Sequence, residues 1–452
     1  MERREEKRPA FMALGGKRPE NLFSKLPSPC YVIEEGQLLK NAKVLAEVME
    51  HTGCKILLAQ KAFSNYDLYD VLKPYLAGTE ASGLYEARLG AEEMPGKEVH
   101  VFCAAYREDE FEELLQYADH IVFNSVHQLQ RFGKLAKAKG KSLGLRINPE
   151  CSTQEGHEIY DPCAPGSRLG VTRDMWNAQM TEELLGLLDG LHFHTLCEQD
   201  ADALEVTLDA VETRFGDILP KMKWLNMGGG HHITRPGYDV RKLNACLLRA
   251  KETWKVQVYL EPGEAIALNA GFLVSRVLDV VQNGDTRIAI LDASAACHMP
   301  DVIEMPYLPP VYLAEAVQDV HQSEEQDDGQ GSGFDASQLS GQVTGNNQIY
   351  RLAGPTCVAG DVIGDYCFLK ELHVGDMLLF GDMAIYTTCK NNTFNGMPLP
   401  NIWKHGVNGT LTRLTDFGYE DFKMRLGSKY LYYTSGSNFK NSSVDCETGN
   451  EG

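Results

Sequence analysis

In the stretch Lys55–Asn65, KILLAQKAFSN, the short apolar run Lys55–Gln60 stops abruptly at Lys61. A run of this length bounded by polar residues reads as a buried strand, since helices need longer segments. The same texture recurs as Ala77–Ser82 (AGTEAS), Val99–Ala104 (VHVFCA), His120–Asn124 (HIVFN) and Leu143–Asn148 (LGLRIN). It returns as Gly190–His194 (GLHFH), Trp224–Gly228 (WLNMG) and Gln257–Glu261 (QVYLE). Polar, helix-prone segments separate these runs. Eight such alternations predict an α/β fold, a (β/α)8 barrel over residues 46–270. Several runs end on Lys61, Glu80, His194, Gly228 to Gly230 or Glu261. Barrel chemistry sits at the C-terminal ends of strands, so these are the candidate site residues.

After Gly271 the pattern changes. GFLVSRVLDVV, TRIAILDAS, IYRLAGPTC, DYCFLKEL and DMLLFGDM read as strands joined by turns and not by helices. They predict a C-terminal, mostly β domain over residues 271–420. The segment 27–45, with the strand-like PCYVIE of Pro29–Glu34, is expected to add a strand to it. Residues 318–347 are rich in Gln, Ser, Gly and Asp and read as a disordered insertion. Residues 1–26 read as a flexible extension, and 421–452 as a tail, largely disordered after 435.

Bulk properties narrow the function. A chain of 452 residues exceeds what one core usually organises, which favours two domains. No apolar stretch approaches the ~20 residues of a membrane helix, and the N-terminus lacks a secretory apolar region. The expected location is the cytoplasm, with the twelve scattered cysteines as thiols. Forty-three Lys and Arg against 63 Asp and Glu give a net charge of −20, which argues against nucleic acid and suits a cationic partner. No membrane partner and no metal site are expected.

Each candidate has a plain reading and a chemical one. Lys61 is either a snorkelling surface lysine or an amine desolvated at a barrel mouth, ready to form a Schiff base. Gly228–Gly230 is either a flexible turn or a backbone cradle for an anion. Glu261, in LEPGE, is part of a Pro-Gly turn or a carboxylate for a heterocyclic nitrogen. His194 is a core histidine or a ring that stacks on a cofactor. Cys357, in GPTC, is a buried thiol or a proton donor.

The order of these signals is more specific than any one of them. KILLAQKAFS, GLHFHTLCEQ, NMGGGHHIT, LEPGEA, LDASAACHMPDVIEMPY and AGPTCVAGDVIGDY follow one another along the chain. In that order they resemble the fold-type III pyridoxal-phosphate enzymes, which include ornithine, arginine and diaminopimelate decarboxylases and alanine racemase. Within that family they look closest to the carboxynorspermidine (carboxyspermidine) decarboxylases. The resemblance covers roughly Pro27 to Phe417.

It implies pyridoxal 5'-phosphate as cofactor, held covalently by Lys61, with His194 stacked on its ring and Glu261 at the ring nitrogen. Gly228, Gly229, Gly230, Gly263 and Tyr386 would bind the phosphate, and Glu80 would lie near the cofactor. Cys357 would reach from the other subunit of a homodimer to protonate the substrate carbon. By the same resemblance Arg168 and Asp361 match an intersubunit ion pair. Two positions depart from the ornithine-type pattern: Glu264 stands where those relatives have arginine, and Val358 where they have an acid. The substrate expected is therefore a carboxylated triamine with a longer cationic tail. Glu264, Asp301 and Glu304 are its expected carboxylate anchors, the last two spaced to share one face of a helical turn. The alternatives are another basic amino-acid decarboxylase, such as one for diaminopimelate, or a non-enzymatic regulatory homologue.

Overall fold

The computed structural model describes residues 26–154, 161–314, 348–368 and 370–427. Strand β1 (Cys30–Glu34) leads directly into an 18-residue helix, Glu35–Thr52. That helix buries Leu38, Ala42, Leu45 and Val48, a stripe at helical spacing that packs on the barrel. The barrel strands follow: β2 (Lys55–Ala59), β3 (Gly78–Ala81), β4 (Glu98–Phe102) and β5 (His120–Phe123). They continue as β6 (Ser142–Arg146), β7 (Gly190–His192), β8 (Trp224–Asn226) and β9 (Gln257–Leu260). All pair in parallel and in order, and β9 closes on β2 through Lys55–Tyr259 and Ile56–Leu260. The eight runs read from the sequence are these eight strands.

Strand alternation divides the wall into two faces. Ile56, Leu58, Val99, Val101, Ile121, Phe123, Leu143 and Leu145 belong to the large core that includes the outer helices. Leu57, Val122, Trp224 and Tyr259 form a separate cluster. These are the alternate positions, so they fill the barrel interior. Trp224 dominates that interior because β6 and β7 carry glycine beside it. A Cβ on Gly144 or Gly190 would come within 2.2 or 2.0 Å of the indole ring.

The second unit is a nine-stranded mixed sheet. Its strands after the barrel are β10 (Gly271–Asn283), β11 (Thr286–Leu291), β12 (Val311–Ala314) and β13 (Gln348–Ala353). Then come β14 (Val362–Phe368), β15 (Met377–Gly381), β16 (Asn401–His405) and β17 (Leu411–Arg413). The N-terminal β1 lies between β10, antiparallel, and β16, parallel, so both ends of the described chain meet in this sheet. Strand β10 pairs with β15 along its first half and with β11 along its second, with a shift in register between Val277 and Asp279.

The turns-only expectation for this region needs correction. Short helices Ala295–His298 and Asp301–Glu304 interrupt it, and a further helix, Tyr419–Met424, crosses the expected boundary at 420. Ser294 caps the first of these, its Oγ accepting from the Cys297 N–H. The expected extension 1–26 lies almost wholly, and the insertion 318–347 and the tail after 435 entirely, outside the described residues. Among the described residues, no helix is long and apolar enough to cross a membrane, and the cysteines are free thiols.

Candidate active site

Lys61 follows β2 by two residues, on a turn held from both sides. Gln60 Nε2 donates to the Glu86 carbonyl at 2.7 Å, and Gln60 Oε1 accepts from the Tyr69 hydroxyl at 3.1 Å. From the β domain, Cys389 Sγ donates to the Lys61 carbonyl at 3.0 Å and the Tyr386 N–H to the Ala62 carbonyl at 2.9 Å. Gly263, just after β9, packs on the same turn: a Cβ there would meet Ala62 Cβ at 2.5 Å. Lys61 itself is exposed, and among the described residues its amine has no ion-pair partner.

A buried polar layer lies at the ends of the neighbouring strands. It holds Glu80 on β3, Arg146 on β6, His192 on β7, Asn226 on β8 and Glu261 after β9, each at most 5% exposed. Glu261 accepts from Asn226 Nδ2 at 2.5 Å and from His192 Nε2 at 3.1 Å. Burial alone would raise its pKa, but His192 and the bond from Asn226 hold it below the usual carboxylate range. Glu80 goes the other way: burial, then the charge of Glu261, raises it well above that range. Of the two acids, Glu261 is the ionised one. Burial lowers the Arg146 guanidinium to about 10, still a cation at neutral pH. It stacks over Phe102 at 4.6 Å and donates to the His194 carbonyl at 3.0 Å.

The glycine turn joins this layer. Gly228 and Gly230 sit at φ 68° and 81°, where side chains are strained. The Gly228 N–H donates to Asn226 Oδ1 at 2.9 Å and the Gly229 N–H to His194 Nδ1 at 3.2 Å. The latter bond needs an unprotonated Nδ1, and burial followed by the charge of Lys61 does hold His194 neutral. The N–H groups of Gly230 and His231 have no partner among the described residues. Two unpaired backbone donors on a left-handed glycine turn are what a phosphate requires.

A second acidic group lies beyond Lys61. Glu264 lies beside Glu198, and burial, then the charges of Glu198 and Asp382, raise it well above the carboxylate range. Burial raises Asp382 to about 6. Asp301 and Glu304 do turn to one side of their helix, as their spacing predicts, and there both bind Lys390. They are therefore not bare carboxylates.

Cys357 is exposed on the turn after β13, its N–H donating to Asn395 Oδ1 at 3.4 Å. No contact among the described residues joins it to Lys61. Asp361 is 2% exposed, and its carboxylate accepts from Ser294 Oγ at 2.9 Å and Thr356 Oγ1 at 2.6 Å. Arg168 is exposed. At the opposite end of the barrel, Glu98, His100 and His120 bring possible metal ligands within 4.8 Å of one another. The two imidazoles are stacked at 3.9 Å and 12°, so their in-plane lone pairs run parallel and do not converge, and Lys55 already binds Glu98.

Sequence reasoning missed Arg146, His192 and Asn226. Each is a polar residue near the end of an apolar strand, at an inward position that only the closed barrel reveals. Glu198, Asp382 and Lys390 lie in loops and gave no signal.

An unpaired lysine, an ionised carboxylate and a glycine turn with free N–H donors on one barrel mouth are the groups that a pyridoxal-phosphate site requires. The family model described as "Pyridoxal-dependent decarboxylase, C-terminal sheet domain" matches residues 30–384, and the chain belongs to this family. It is 42% identical to the carboxynorspermidine/carboxyspermidine decarboxylase of a Campylobacter jejuni strain, over 89% of this chain and 99% of the relative. It is 40% identical to the carboxyaminopropylagmatine decarboxylase of a Synechocystis strain, over 90% and 97% of the two chains. The crystal structure of carboxynorspermidine decarboxylase from Campylobacter jejuni, complexed with norspermidine, superposes with a TM-score of 0.74. That match has 39% identity and covers 88% of this chain and 100% of the other.

Proposed function

We propose that this pyridoxal-dependent decarboxylase acts on carboxynorspermidine and carboxyspermidine, releasing carbon dioxide and leaving norspermidine or spermidine. The observation that carries the substrate reading is the group Glu198, Glu264 and Asp382, which offers carboxylates to a distal ammonium. Glu264 stands where the ornithine-type pattern has arginine, so the change replaces a cation with a cation's partner. The relatives above support the reading.

Lys61 would hold the cofactor through its amine, and the Gly228–Gly230 turn, with Gly263 and Tyr386, would hold the phosphate. His194 and Glu80 would border the cofactor. When bound, pyridoxal phosphate supplies an electron sink for the pair left behind as carbon dioxide departs. Glu261, ionised and fixed by His192 and Asn226, would keep a proton on the ring nitrogen and so deepen that sink. Glu264 orients the amine tail so that the carboxylate to be lost faces away from polar groups that would stabilise it. The Cys357 thiol of a second copy would supply the proton for the α-carbon, and the Lys61 amine would be the group that holds the cofactor between turnovers.

A second reading rests on the 40% relative: carboxyaminopropylagmatine, whose far end is a guanidinium, meets the same carboxylates. The test is a product assay by mass spectrometry. The chain with pyridoxal phosphate is supplied in parallel with carboxynorspermidine, carboxyspermidine, carboxyaminopropylagmatine, diaminopimelate and ornithine. The first two are expected to be consumed at the highest kcat/KM. Turnover of diaminopimelate or ornithine alone overturns the reading.

A further inference from the structure

Asp301 and Glu304 both close on Lys390, with side-chain exposures of 18% and 57% against 32% for the lysine. Lys390 follows Cys389, whose thiol meets the Lys61 carbonyl, so this ion-paired trio borders the same mouth as Lys61. Across the mouth, no lysine or arginine is paired with Glu198, Glu264 or Asp382 among the described residues, and His232 stands 4.0 Å from Glu264. Gly263, next to Glu264, packs on Ala62, and the Ala62 carbonyl accepts from the Tyr386 N–H of the loop that carries Lys390, so both acidic sets border the Lys61–Ala62 turn. Besides Lys61, the mouth is therefore bordered by five carboxylic acids, two of them paired with Lys390.

We infer that Lys390 is a specificity-determining residue, a built-in cation that fills the Asp301–Glu304 half of the mouth and leaves only the other half for the substrate's tail. The inference rests on the triamine reading above. Charge-assisted hydrogen bonds between an ammonium and two carboxylates are among the stronger polar contacts, so an incoming amine gains little by competing for them. An amine with one more ammonium than a triamine thus finds no unclaimed partner. Removing the Lys390 charge bares two carboxylates at the spacing one ammonium satisfies. The pocket then favours the more highly charged ligand, since specificity is a difference between affinities.

The probes are norspermidine, with three amines, and spermine, with four, titrated calorimetrically into the cofactor-loaded protein. In Lys390→Gln the ratio of spermine to norspermidine affinity is expected to rise at least about tenfold, a change of roughly 1.4 kcal/mol. Lys390→Arg, which keeps the cation, should keep the native ratio, and Asp301→Asn combined with Lys390→Gln should bring it back most of the way. The visible absorbance of the bound cofactor reports that the mouth is intact. Lys390→Met is measured alongside, because it preserves the packing of the stem. An unchanged ratio in Lys390→Gln overturns the inference, as does equal weakening of both amines or loss of the cofactor band in Lys390→Gln and Lys390→Met alike. These last results would make Lys390 a staple for the Lys61 turn. If the native protein binds neither amine, the triamine reading itself falls.

Discussion

Asn226 uses both ends of one amide. Its Nδ2 donates to Glu261 and its Oδ1 accepts from the Gly228 N–H, so one fully buried side chain ties the Glu261 carboxylate to the Gly228–Gly230 turn. Asn226→Ala leaves both partners buried and unsatisfied, at about 1–3 kcal/mol for each group. We expect at least tenfold weaker cofactor binding and a fall in kcat, read by absorbance titration and steady-state kinetics. Asn226→Gln should fail to rescue either, because its longer stem cannot keep both contacts. The acidic group makes a prediction in pH. Asp382, raised to about 6, and Glu264, raised well above the carboxylate range, are proton-bound on the acid side of their pKa values. A cation binds their ionised forms, so lowering pH through 6 should raise KM for the triamine, and Asp382→Asn should flatten that rise. Lys61, the glycines and Glu261 could be read from the sequence because a lysine, a glycine triplet or Glu-Pro-Gly at a strand end is unusual. Asn226 and His192 could not, because a polar residue inside an apolar strand has no meaning until the strand's inward face is known.

Among the elements, the barrel strands were the most legible part of the chain. Each is a short apolar run with an abrupt polar end, and all eight runs emerged as strands in one closed barrel. The two-residue alternation that gives them an inside was hidden, because both faces are apolar and the difference lies only in what they meet. Gly144 and Gly190 show this. In the sequence they are weak points in strands, whereas in the structure they make room for Trp224, whose Nε1 reaches Ser142 Oγ at 2.9 Å. Gly190→Ala should therefore destabilise the protein by about 1–3 kcal/mol, the usual cost of overpacking a closed core. Denaturant titration checks the stability. Because β7 also carries His192, the variant should lose cofactor affinity as well, which a substitution on an outer helix would not do. The β domain was legible as strands but not as a sheet. Its order interleaves β1, from the beginning of the chain, with β10 and β16, and no local pattern encodes a pairing over 240 residues apart, as between Cys30 and Val274.

For the whole molecule, burial of imidazole sets the response to acid. His120 is pushed down to about 3, and His231, His232 and His298 to about 4, chiefly by burial, so the folded chain keeps them neutral. The unfolded chain binds protons at these residues below about 6.5, so stability falls with pH from there to the folded values, by up to about 1.4 kcal/mol per unit for each histidine. The raised carboxyls of Glu80, Glu86, Glu264, Asp301 and Asp382 oppose this, since folding gains from their early protonation, but six lowered histidines, with His192 and His194 among them, act together with carboxyls held low such as Glu98 and Glu261. The urea midpoint is expected to drop steadily between pH 6.5 and 4.5. Assembly is tested by a different logic. Lys61 is fixed between the barrel and the Tyr386–Lys390 loop, while Cys357 is exposed on a β-domain turn with no contact to it in the same chain. A proton donor must come within hydrogen-bond reach of the reacting carbon, so the proposed role of Cys357 requires a second copy. Lys61→Ala chains and Cys357→Ala chains each lack one half of every site in their own homodimers. A mixed dimer would combine the intact Lys61 of one chain with the intact Cys357 of the other in one of its two sites. Random exchange makes half of the dimers mixed, and each has one working site of two. Mixing equal amounts should therefore restore about a quarter of native activity, by the statistics of a closed two-fold assembly. The assay is carbon dioxide release after exchange verified by mass spectrometry of the intact dimers. Activity that stays at the level of the two parents, despite verified exchange, places the proton donor within the same chain.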